Sequence, residues 1–157
     1  MNAEARRPLT RAMVAALLLV PALAATAWNA APRAAEAEAA PDQAAVYFIE
    51  PRHGERVGTP VLVRFGLRGM GVAPAGVQRE GTGHHHLLIN VDEIDLAMPI
   101  PTDEQHRHFG GGQTETLLEL PPGRHSLQLL VGDFAHRPHS QPVMSEKIEI
   151  EVVAPQP

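Results

Sequence analysis

Apolar and polar residues alternate with period two along most of the chain, the spacing of strands whose successive side chains face opposite ways. In "PVLVRFGL", Val61, Val63, Phe65 and Leu67 share one face while Arg64 and Arg68 share the other. "RHSLQLLVGD" places His125, Leu127, Leu129 and Val131 together, and "EKIEIEVV" sets Ile148, Ile150 and Val152 against Lys147, Glu149 and Glu151. "AVYFIEP", "HHHLLINV" and "ETLLEL" add further short β-rich runs, with Pro and Gly between them. Six or seven strands in about 110 residues predict an all-β fold, a small antiparallel immunoglobulin-like β-sandwich with long His-rich loops. No stretch carries a helical period, and "MPIPTDEQ", with two prolines, is expected to be a loop.

The N-terminus departs from this pattern. Arg6, Arg7 and Arg11 precede the apolar stretch Ala12 to Ala27, which ends in small residues, so residues 1–27 are expected to be a secretory signal peptide. The stretch is short for a membrane span and is interrupted by Pro21; an uncleaved N-terminal anchor is the alternative. The surroundings of Arg6-Arg7 fit twin-arginine export poorly, leaving general secretion to the periplasm or the exterior. Residues 28–43, rich in Ala, Glu and Pro, have too little apolar variety for a core and are expected to be a disordered tether; residues 44–154 form the domain.

Without residues 1–27 the chain keeps ten basic and seventeen acidic side chains, a formal charge of −7, which argues against nucleic acid as a partner. After signal cleavage no membrane span is expected. The chain has no cysteine, so an exported domain of this size must rely on its core, with help from any ion it binds.

Histidine is where the candidate chemistry lies. Eight of the nine histidines fall between His84 and His139, in the groups His84-His85-His86, His106-x-His108 and His136-x-x-His139, with His125 apart. On a strand His84 and His86 share one face and His85 joins Leu87, Ile89 and Val91 on the other. The same i, i+2 spacing recurs at His106 and His108, so His84, His86, His106 and His108 are the expected ligands of a four-nitrogen metal site. His85, His136, His139, Met70 and Met144 stand in reserve. Imidazole-rich ligation without thiolate suits copper, zinc or nickel, and copper(II) binds nitrogen most tightly; a thioether would favour copper further. The expected cofactor is thus a copper ion, with zinc or no ion as alternatives.

Each residue also has a plainer reading. Histidines near strand ends bridge backbone carbonyls, each Met fills a gap in the core, and His125, beside Leu127 and Leu129, is expected to be a satisfied, partly buried ring. Asp103, Glu104 and Glu115 could orient imidazoles from behind or simply be solvated. "FGGGQTE" lacks the Lys-Ser/Thr and helix of a nucleotide loop, so a tight turn or a close backbone approach to a neighbouring site is expected there. Ser126, Ser140 and Ser145 lie in no nucleophile-elbow context.

"VYFIEPRHGERV", "VRFGLRGMGVAPAG", "TGHHHLLIN", "HRHFGGGQTETLLELPPGRHSLQLLVGD" and "HRPHSQPVMSEKIEIEV" together resemble the bacterial family of exported proteins catalogued as domain of unknown function 4399, over Val46 to Val152. That resemblance implies export and a small domain, and names no ligand. The residues point first to an exported metal-binding module that is not an enzyme. A metal-free sandwich that binds another exported protein or an envelope polymer is the second reading, and a metal-dependent enzyme is the third.

Overall fold

A computed structural model describes residues 37–154, and the expected signal peptide and the first part of the expected tether lie outside them. Nine strands follow in order: β1 (Ala45–Glu50), β2 (Arg56–Val57), β3 (Val61–Arg68), β4 (Gly71–Val72), β5 (Thr82–Ile89), β6 (His106–His108), β7 (Glu115–Leu118), β8 (Gly123–Gly132) and β9 (Ile148–Val152). The described residues contain no helix, and hence none that could cross a membrane. The all-β, sandwich-like architecture is the one the alternating pattern predicts.

One sheet has the order β1-β3-β7 and is antiparallel. The other runs β2-β9-β8-β5-β4, with β6 also on β5. This second sheet is mixed, because β2 pairs β9 and β4 pairs β5 in parallel. Those two-residue strands are too short to carry any periodicity, which is why alternation does not announce them.

The sheets close on Val46, Val61, Val63 and Phe65 from one side and Leu87, Ile89, Leu127, Leu129, Val131, Ile148, Ile150 and Val152 from the other. β9 shows the half-buried alternation of a strand with one wet face. β5 does not: from Gly83 to Ile89 every residue is buried, and β8 is likewise buried at every position from Leu129 to Gly132. Both faces of the second sheet are therefore covered where these strands meet. His86 pairs Leu130 and His84 pairs Gly132 across the β5–β8 ladder, so the face away from the core carries His84, His86, Leu88 and Leu130. Ile100, itself buried, lies over Gly132 on that side, and its amide donates to the His136 carbonyl at 2.7 Å. A second small packed layer thus forms outside the sandwich.

The end of the expected tether is engaged with the domain. Glu38's carbonyl accepts from the Ser140 amide at 3.0 Å and lies 3.2 Å from His139 Nδ1, and Ala40 packs against the core.

Candidate metal centre

β5 supplies the first two imidazoles. His84 and His86 project from its outer face, both fully buried, with ring centroids 4.9 Å apart and Nε2 atoms 3.0 Å apart. β6 adds the third, because its antiparallel register sets His108 opposite His86. The His108 ring centroid is 5.0 Å from that of His86 and 4.9 Å from that of His84. His84, His86 and His108 each offer a ring nitrogen within 4.8 Å of the others, a geometry that could hold a metal ion.

The loop after β8 brings a fourth. His136 Nε2 lies 3.0 Å from His108 Nε2, and its ring centroid is 4.5 Å from His108, 5.0 Å from His84 and 5.9 Å from His86. His136 has a left-handed backbone, φ 61°, a conformation uncommon for a non-glycine residue and held here by its surroundings. Asp133 provides much of that support: its Oδ1 accepts from the amides of Ala135 at 2.8 Å and Arg137 at 2.9 Å. Backbone bonds from His136 N to Asp133 O and from Asp133 N to Arg137 O tighten the same turn.

Two glycines make room for the rings. A Cβ on Gly132 would sit 3.0 Å from His86 Nε2, and one on Gly110 would collide with the His108 ring. The close backbone approach expected of "FGGGQTE" is this one.

The four-residue group differs from the expected set at one position. His106 is not gathered in. It pairs Leu88 in the ladder, one pleat repeat along from His108, or about 7 Å. Asp103 Oδ1 holds its ring at Nδ1, 2.8 Å away, and accepts its amide at 2.9 Å. The group whose ring nitrogens all lie within 4.8 Å of one another is His84, His86 and His108; His136 lies against it through His108, because a loop can bring a distant residue to a strand end where i, i+2 spacing only steps along the strand.

The other reserves lie elsewhere. His85 turns into the core against Phe65, ring centroids 4.7 Å apart, and neither of its ring nitrogens makes a well-formed hydrogen bond. His139 is buried with Nδ1 toward the Glu38 carbonyl and Nε2 unpartnered, close to Gly83. Met70 packs against the core, and Met144 is partly exposed at a bridge to Leu130. His125 is a satisfied ring, with Asn90 Nδ2 3.0 Å from its Nδ1 and the Pro121 carbonyl 2.8 Å from its Nε2. Of the acids expected behind the ligands, Asp103 serves His106 and Glu115 pairs Arg64 at 3.1 Å on the other sheet. The acid beside the cluster is Asp133, whose sequence signal, an Asp three residues before a His in a Pro-bounded loop, is weak.

Burial, reinforced by their neighbours, favours the uncharged form of His84, His86 and His108. Burial lowers the pKa of His84 to about 4, with His108 and His136 pushing the same way and Asp133 opposing. Burial, then the neighbouring His84 and His108, takes His86 to about 2. Burial and His136 lower His108. Neutral imidazole has one N–H and one lone pair. The Nδ1 atoms of His84 and His86 are buried and unpartnered, while their Nε2 atoms face each other. Each facing pair of neutral rings shares at most one N–H···N hydrogen bond, so lone pairs remain on the group that could serve a cation.

No curated protein matches the chain. Among solved structures, it is similar to the endo-beta-1,4-mannanase from Thermotoga petrophila at 16% identity and a TM-score of 0.43. That match covers 72% of this chain and spans 20% of the mannanase, a fifth of its length. A family model, by contrast, matches residues 63–153, more than half of the sequence and all four clustered histidines. The chain belongs to the family described as domain of unknown function DUF4399.

Proposed function

We propose that this protein is an exported metal-binding module, not an enzyme, whose ion is copper ahead of zinc and whose ligands are His84, His86, His108 and His136. The observation that carries the reading is the pair of Nε2–Nε2 contacts at 3.0 Å, His84 with His86 and His108 with His136, within one group of buried and half-buried rings. Imidazoles recruited only to order loops would bond to backbone, as His125 does; these four turn toward one another. An all-nitrogen donor set ranks copper(II) first among the divalent ions by intrinsic affinity. Export rests on the basic and apolar N-terminal segment of the sequence.

The test is calorimetric titration of the tag-free mature protein, stripped of metal, with copper(II) and zinc(II). Stoichiometric binding that His84→Ala/His86→Ala abolishes and His106→Ala spares is the expected result. Binding indifferent to the double substitution, or no binding, overturns the reading and favours the sandwich as a partner-binding module.

A further inference from the structure

Four neutral imidazoles bring no charge to an ion, yet a divalent ion enclosed by them brings two. Burying such a charge is costly unless a counter-charge accompanies it. Among the described residues only one carboxylate is buried like a core residue: Asp133, 2% exposed. It follows Gly132, the ladder partner of His84, and it closes the turn that presents His136. Asp133 therefore adjoins the site on two sides: it is the chain neighbour of Gly132, where a Cβ would lie 3.0 Å from His86 Nε2, and its Oδ1 closes the turn that carries His136.

We infer that Asp133 is the buried counter-charge of the histidine cluster, placed so that the site prefers a divalent over a monovalent ion, and that the same carboxylate positions His136. This rests on the metal-binding reading above. The carboxylate is a positioning and electrostatic residue, not a ligand: its Oδ1 is engaged by the amides of Ala135 and Arg137. A fixed negative charge attracts a doubly charged ion twice as strongly as a singly charged one at the same place, so its effect is a ratio of affinities. Geometry alone would move both affinities together.

The two roles separate in Asp133→Asn, which keeps an oxygen for both amides and loses the charge. Asp133→Ser keeps a shorter acceptor able to close a similar turn. The tag-free protein and both variants are titrated with zinc(II), copper(II) and silver(I), the last a redox-inert stand-in for copper(I), with folding checked by circular dichroism. In a folded variant the divalent affinities are expected to fall roughly tenfold more than the silver affinity. The potential of bound copper should rise by about 59 mV, the value of a tenfold change for one electron. Equal losses for both charge classes, or no loss, overturn the counter-charge and leave a structural turn. Failure of both variants to fold overturns it too, since the charge would then serve the fold. If the unsubstituted protein binds none of the ions, it is the metal reading that fails.

Discussion

The Nε2 atoms of His108 and His136 lie 3.0 Å apart, although one ring sits on a ladder strand and the other on a turn with positive φ, 28 residues later. If both are ligands, His136→Ala should weaken copper or zinc binding by more than the roughly 10–100-fold that loss of an outer-shell partner costs. His106→Ala should leave binding unchanged, because that ring is held by Asp103. Parallel titrations of the two variants check this.

The cluster should make the metal-free domain sensitive to acid. His84 and His86 bind a proton at the ordinary 6.5 in the unfolded chain but only at about 4 and about 2 when folded. The unfolded state therefore takes up more protons as pH falls, and stability drops from pH 6.5 downward, toward 4 for the first ring and further for the second. Above pH 7 these two rings contribute no slope. Thermal melts from pH 7.5 to 4.5 should show the decline, and His86→Leu should shrink it.

His85 is expected to contribute nothing to ion binding and to burden the fold. It is buried against Phe65 without a well-formed hydrogen bond, and leaving polar atoms in that state costs on the order of 1–3 kcal/mol. His85→Leu, apolar and of similar size, should raise stability by about 1 kcal/mol and leave titration with copper or zinc unaltered. Denaturant unfolding reads the first and calorimetry the second.

Gly132 should be a sensitive position near the rings that is not itself a donor. A methyl group there meets His86 Nε2 at 3.0 Å and Ile100 Cδ1 at 3.2 Å. Gly132→Ala should cost about 1–3 kcal/mol by overpacking and weaken ion binding through the displaced imidazole. A variant that binds as tightly as the parent would show that the ring has room to give.

The strands were legible because alternation is imposed by the pleat itself: Val61, Val63 and Phe65 face the core as their spacing requires. The same rule correctly sent His84 and His86 to one face and His85 to the other. It could not say which of two neighbouring histidines on β6 lies level with His86, since that depends on ladder register, a pairing between segments about twenty residues apart. Nor could it reach His136, whose position depends on a left-handed backbone and on hydrogen bonds from Asp133. The covering of the outer face by Ile100 was hidden in a segment whose prolines speak only of a loop.

β5 has strands on both edges and packed residues on both faces, and β6 is tied to it by the ladder that carries His108. The backbone freedom of three of the four donors is thus surrendered when the sheet forms, a loss of about 1–2 kcal/mol for each residue fixed. If an ion binds there, it meets three imidazoles whose main chains no longer need to be ordered, so capture would cost little configurational entropy. On the metal-binding reading, the three strand-borne imidazoles belong to the folded scaffold before any ion binds.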